Sequence, residues 1–321
     1  MTDFSKTNIH CSSIGLIMSN GRGKTNLEKW QSCIESMILW EGKYNGYDEK
    51  KKGQATGLAA LKKTQDWKAK AAELEPDKDI NPLSIGAKSH LKKIYGYEKY
   101  GKWSALSDKG TKFTNKGTLA EIDSIRLISE LQGINYQKNE ERVQNEFLTG
   151  IPDVFVGKSI YEAEYIIDIK SSWDIQTFLD TLGKPLYNLY WWQIQGYLAI
   201  TGAKIGEVSY CLVDTPTSIL NGERRRLLER MDAVTEEDPA FLAKDQELIN
   251  NMTFGDMPKK DRRIRFLVER DEEAIQKIYS KVTEARKYLQ EIEELHQIGE
   301  FLAKEPSKEE PDEENEVEET E

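Results

Sequence analysis

The chain has 321 residues, 38% of them hydrophobic and 31% charged, with a formal net charge of -11. That length suggests one large domain or two small ones with a sizeable core. No apolar run approaches the roughly 18 residues of a membrane span, and three cysteines (Cys11, Cys33 and Cys211) outside any CxxC or Cys/His cluster argue against a disulfide framework or a zinc site. The N-terminus lacks the apolar stretch of a secretion signal. The expectation is a soluble protein of the reducing cytoplasm with no membrane partner. Ten acids and two lysines between Lys304 and Glu321 put -8 of the net charge in the tail, so the other 303 residues carry only -3. The acidic total therefore does not exclude a nucleic-acid partner.

In chain order, residues 1–25 read as irregular, with SNGRGK as a loop. Residues 26–46 have helical periodicity, with Leu27, Trp30, Ile34, Met37 and Ile38 near one face. Residues 50–75 alternate lysines and alanines and read as an exposed helix, before Pro82 and Gly86 interrupt. Lys88 to Lys116 holds eight lysines, Lys92 and Lys93 among them, against Glu98 and Asp108. Tyr95, Tyr97, Tyr100 and Trp103 lie between them. Lysines neutralise phosphates and aromatic faces stack on unpaired bases; a solvated helix with its aromatics in the core gives the same pattern. Residues 117–132 predict an amphipathic helix with Leu119, Ile122, Ile125, Ile128 and Leu131 as its stripe.

Residues 141–147 then alternate like a strand, Gly150 and Pro152 mark a turn, and 153–157 and 164–170 predict two more strands. Residues 187–201 predict a helix whose Tyr187, Tyr190, Trp191, Ile194 and Leu198 form a buried stripe. Strands follow at 207–213 and 263–270, separated by a charged helical stretch at 222–250. A long helix after 270 opens with acids, as the helix dipole favours, and the chain beyond about 303 reads as disordered. This order predicts an α/β (α+β) fold: a central mixed β-sheet flanked by helices. The divisions are a basic helical region at 1–116, a core at 117–215, an insertion with a late strand and long helix at 216–303, and an acidic tail at 304–321.

EYIIDIK, residues 164–170, raises a chemical question. Alternation points Tyr165, Ile167 and Ile169 one way, and Glu164, Ile166, Asp168 and Lys170 the other. Asp168 and Lys170 are then neighbours about 6–7 Å apart. A solvated edge strand would tolerate the pair. In a buried strand an unpaired charge costs several kcal/mol, and a cation held by carboxylates is one compensation. The Gly150-Ile151-Pro152-Asp153 turn supplies a second carboxylate, because a hairpin would lay Asp153 beside Asp168. A hard divalent ion relieves their repulsion and suits carboxylate, water and phosphate oxygens. Such an ion lowers the pKa of water and stabilises phosphoryl charge, and an ammonium such as Lys170 can orient that water.

GIPD followed by DIK on a strand resembles the PD-(D/E)xK nuclease superfamily. Gln193-Ile-Gln-Gly-Tyr197 matches the QxxxY helix motif of its RecB-like and lambda-exonuclease-like (YqaJ-type) branches, and Gly117-Thr-Leu-Ala-Glu121 their GxxxE. The resemblance covers residues 117–213. It implies a restriction-endonuclease-like core with helical N- and C-terminal additions. It further implies Asp153 and Asp168 as metal ligands, Lys170 as the residue placing the attacking water, and Glu121 as a further ligand or base, with Asp123 and Glu130 as close competitors. Gln193 and Tyr197 would hold the DNA backbone, and the cofactor would be Mg2+ with Mn2+ able to substitute.

His10 to Gly15 resembles the serine-containing segment with which lambda-exonuclease-like enzymes bind a DNA 5′-phosphate. That likeness implies a pocket of Ser12, Ser13 and Arg22; a helix cap at either serine is the plain alternative. Gly21 to Thr25 ends like a Walker A loop, but Met18 stands where the motif needs glycine, so no nucleotide loop is expected. The implied activity is a magnesium-dependent DNA exonuclease acting on double-stranded ends in phage-type recombination. A single-strand annealing protein is a further implied partner, and an oligomer is compatible. An endonuclease of resolvase or restriction type, or a nucleic-acid-binding protein without activity, are the alternatives.

Overall fold

The structure, a computed structural model, describes residues 2–19, 26–73, 83–102, 112–231 and 235–299. A short strand β1 (Ile9–His10) runs into α1 (Cys11–Met18). Then come α2 (Asn26–Asn45), α3 (Glu49–Lys52), α4 (Ala55–Glu73), α5 (Ile85–Tyr100) and α6 (Lys112–Gln132). The strands β2 (Val143–Gln144), β3 (Leu148–Gly150), β4 (Val154–Gly157) and β5 (Ala163–Ser171) follow. After them come α7 (Ile175–Leu179), α8 (Asn188–Thr201), β6 (Ile205–Cys211), α9 (Thr217–Arg230), α10 (Pro239–Met252), β7 (Arg263–Glu269) and α11 (Glu272–Ile298). Among the described residues no helix is long and apolar enough to cross a membrane.

The fold is α/β, with two mixed sheets in place of the single sheet expected. One has the order β1-β3-β2, the other β4-β5-β6-β7. In the larger sheet β5 pairs antiparallel with β4 and parallel with β6, and β6 pairs antiparallel with β7. The parallel β5–β6 pair requires a crossover, which α7 and α8 supply. Alternation along β5 sends Ile166 into a core shared with α1, α8 and α11, and Ile167 and Ile169 into a second core against α6. A strand between two helical layers is thus buried on both faces, which excludes the solvated-edge reading.

Several local expectations are corrected. Residues 1–25 are not all irregular: β1 pairs parallel with β3, and α1 packs against α8. The N-cap of α1 is His10, not a serine; Ser13 Oγ instead donates back to the His10 carbonyl at 3.1 Å. The strand at 141–147 shrinks to Val143–Gln144, because Asn145 Oδ1 accepts from the amides of Phe147 and Leu148 and turns the chain. In α6 a strict three-residue repeat drifts off the buried face. Leu119 and Ile122 are exposed, and Ala120, Ser124, Leu127 and Ile128 are buried at the true helical period. Tyr187, at the mouth of α8, is likewise exposed. The expected exposed helix at 50–75 is α3 and α4, and α4 packs along α2. The charged stretch at 222–250 is two helices, α9 and α10.

The approach of α1 to α8 depends on glycine. A Cβ at Gly15 would lie 2.7 Å from Leu189 Cα, backbone against backbone. Arg286, buried on α11, ties this layer down by donating to the Thr7 and Glu146 carbonyls. Gly15→Ala should therefore destabilise the protein by about 1–3 kcal/mol through overpacking. Gly222→Ala, in α9 with nothing within 4 Å of the added methyl, should instead stabilise by about 0.5–1 kcal/mol. Thermal melts of the two variants should move in opposite directions.

Candidate active site

The turn Ile151-Pro152 delivers Asp153 to the start of β4. Val154 pairs with Ile167, so the antiparallel register sets Asp153 opposite Asp168. Asn139 clamps the turn from outside: its Nδ2 donates to the Pro152 carbonyl at 2.9 Å and its backbone amide to the Asp153 carbonyl at 2.8 Å. Asp153 Oδ2 accepts from the Ile169 amide at 2.6 Å. Asp168 is 2% exposed. Its Oδ1 accepts from Gln193 Nε2 at 2.9 Å. Its Oδ2 lies 2.7 Å from Lys170 Nζ, an ion pair whose angle leaves that buried oxygen without a proper hydrogen bond. The lysine ammonium also sits over the Tyr190 ring, 4.5 Å from its centroid.

The helix α8 locks this arrangement. Gln193 Nε2 donates to the Tyr197 hydroxyl at 3.1 Å, and that hydroxyl donates to the Ile151 carbonyl at 3.2 Å. Gln193 and Tyr197 are both buried, and their hydrogen bonds run to the aspartate and the turn. The tyrosine ring rests on Gly150, where a Cβ would come within 2.7 Å of Cε1.

The charges do not balance. Burial, and then the Asp168 carboxylate beside it, push the Asp153 pKa from 3.8 up to about 8. Burial opposes the charge on Lys170, but Asp168, Asp153 and Tyr190 together outweigh it and raise the lysine pKa. Burial, reinforced by the aspartates, holds the Tyr197 phenol well above its ordinary range. Two carboxylates facing one ammonium leave room for a further positive charge. The unbonded Asp168 Oδ2, the all-oxygen donors and the adjacent open cleft fit a hard divalent cation.

A cleft of about 600 Å³ opens over the pair, lined by Asp153, Asp168, Lys170, Gln193, Tyr197 and Glu121. Ser12 also lines it; Ser13 does not. Glu121 Oε2 is paired with Lys138 Nζ at 3.1 Å, and among the described residues no three acids, histidines or cysteines converge into a ready-made metal cage. The competitors Asp123 and Glu130 face a different groove and pair with Arg126 and Lys259. Lys92 and Lys93 are exposed on α5 and do not line the cleft. Arg22, the Walker-like loop, Trp103 and the acidic tail lie outside the described residues. Phe113, Trp173 and Tyr210 line the same cleft and went unread in the sequence, as did the contact of Tyr190 with Lys170. For Trp173 a signal existed, since it stands only three residues beyond Lys170 in the sequence.

No protein-family model matches the sequence, and no curated protein sequence does. Among solved structures, the chain is similar to a phage-related exonuclease from Haemophilus somnus 129PT, with 23% identity and a TM-score of 0.54 over 90% of this chain and 97% of that one. The fold is shared with that protein. An alkaline exonuclease from Laribacter hongkongensis aligns over 67% of this chain and 86% of its own, with 16% identity and a TM-score of 0.45.

The raised pKa of Asp153 has a measurable sign. A carboxyl that binds its proton more tightly when folded loses folding free energy as pH rises from the unfolded value towards about 8. In metal-free solution Asp153→Asn should therefore melt higher than the parent at pH 8. The gain should vanish only below about pH 3, under the unfolded value of 3.8, where the parent carboxyl is protonated in both states.

Proposed function

We propose that this chain is a divalent-metal-dependent deoxyribonuclease acting as an exonuclease on double-stranded DNA ends. The pair of half-buried Asp153 and buried Asp168 beside Lys170, lining an open cleft, carries the reading. The fold shared with a phage-related exonuclease supports it. Asp153 and Asp168 would hold magnesium, with manganese able to replace it, and Glu121 would join from α6 on leaving Lys138. Such an ion supplies Lewis-acid stabilisation of phosphoryl charge and a lowered water pKa.

The chain's own groups set the rest. Lys170 remains an ammonium, because its pKa is raised. It therefore donates hydrogen bonds, orienting the water and offsetting charge on the phosphoryl oxygens, and does not take the water's proton. Gln193 and Tyr197 act as positioning residues: one holds Asp168 Oδ1, the other the turn that presents Asp153. Ser12, at the start of α1, would meet a phosphate oxygen at the cleft's edge. Water would attack phosphorus as its proton passes to a carboxylate, Glu121 being the acid placed to take it; the bond to the leaving oxygen breaks, that oxygen takes a proton from solvent, and the strand shortens from its end.

Linear DNA should be degraded progressively in magnesium and spared in EDTA, while closed circles survive. Cutting of circles would point to an endonuclease on the same fold, and binding without cleavage to a protein that only holds nucleic acid. Asp168→Asn or Lys170→Ala should lower the rate by about 10²–10³ with DNA binding retained. Gln193→Ala should instead act through Asp168, raising the magnesium concentration needed for half-maximal rate by about 10- to 100-fold. A magnesium titration separates the two effects.

A further inference from the structure

We infer that Phe113, Gly117 and Trp173 form a subsite for an unpaired nucleobase next to the hydrolytic centre, an inference that rests on the DNA reading above. All three line the cleft that holds the aspartates. Trp173 follows Lys170 by three residues, just past the end of β5, where the Ser172 amide still donates to the Cys211 carbonyl at 2.8 Å before the chain bends into α7. Three residues span at most about 11 Å of chain, which bounds the separation of the two Cα atoms. Its backbone is anchored by a fully buried lysine: Lys116 Nζ donates to the Trp173 carbonyl at 2.6 Å.

The Phe113 ring meets the indole edge-on, with centroids 4.9 Å apart and planes at 73°, yet Phe113 is 53% exposed. Lys112 Nζ lies 5.6 Å from the phenyl centroid and 5.0 Å from the indole. The result is an aromatic surface opening into the cleft, with a cation beside it that Glu223 holds at 3.4 Å and a phosphate would share. A base stacking on the rings with its phosphate near the ammonium satisfies both features.

Gly117 is the independent observation. It lies inside α6, where glycine weakens a helix, and a Cβ there would touch nothing within 4 Å. No packing among the described residues requires it. It falls one turn after Phe113 and one turn before Glu121, on the face turned to the cleft. A missing side chain at that step leaves room for a sugar–phosphate backbone to cross the helix on its way from the aromatic pair to the acids. A paired base hides its faces in the duplex stack, so the subsite selects a base freed from the DNA end.

The test is binding in EDTA of a single-stranded oligonucleotide carrying terminal 2-aminopurine, whose fluorescence falls on stacking. Trp173→Ala should weaken binding by about 5- to 100-fold and relieve the quenching; the lysine bond survives because it goes to the backbone. Trp173→Phe should keep most of both signals. Gly117→Ala should melt higher than the parent yet bind DNA more weakly, a combination that a purely structural glycine cannot produce. Unchanged affinity and quenching in Trp173→Ala and Gly117→Ala would overturn the subsite. Failure of the parent to cut DNA in magnesium or manganese would overturn the nuclease reading alone, because the binding signals do not depend on cleavage.

Discussion

Two carboxylates, Asp168 buried on β5 and Asp153 half-buried just before β4, repel each other, and the surrounding structure answers that repulsion. Asp153 and Asp168 are brought opposite by the β4–β5 register, a constraint the backbone imposes whatever the side chains prefer. One ammonium, one glutamine amide and one backbone amide meet their oxygens. These donors orient the carboxylates but supply only one full positive charge. Burial and the Asp168 carboxylate raise the proton affinity of Asp153, so a proton there answers the same repulsion.

The two short motifs of this site act as one device. Gly150, at the end of β3, gives Tyr197 a surface to lie on. The Tyr197 hydroxyl then reaches the Ile151 carbonyl, and Gln193, one helical turn earlier, bridges that hydroxyl to Asp168. Four-residue spacing puts both side chains on one face of α8, so the turn carrying one aspartate and the strand carrying the other are fixed by a single helix. Cys11 completes the packing, with Sγ 3.2 Å from where a Cβ at Gly150 or Gly196 would stand. The burial of this thiol raises its pKa; it is a small apolar filler between two glycines, not a reactive group.

The β5 strand was legible because its period of two is rigid: given burial on both faces, Asp168 and Lys170 must share a side. The facing of Asp153 was legible from one turn and one hairpin. Helical faces were read less well. A repeat of three over Leu119, Ile122 and Ile125 slips round a helix of 3.6 residues per turn, and only packing against β5 reveals the buried side. The helix α1 escaped notice because it is short, lacks a capping side chain and carries a glycine whose reason is Leu189, far away in sequence. Trp173 and Lys116 meet only through tertiary structure, which no local pattern records.

Glu121 illustrates how the cleft limits its own charge. It lies on the face of α6 that looks onto the aspartates, and its field adds, as the smallest contribution, to the raised proton affinity of Asp153. A third free carboxylate at the same point would deepen an imbalance that burial already makes costly. The ion pair with Lys138 draws that charge aside, towards the loop after α6. Lys138 is exposed, so the pair is a surface contact of modest strength. The acid therefore lies beside the aspartates without adding its full charge to theirs. The same electrostatic repulsion thus bears on both the raised proton affinity of Asp153 and the pairing of Glu121 with Lys138.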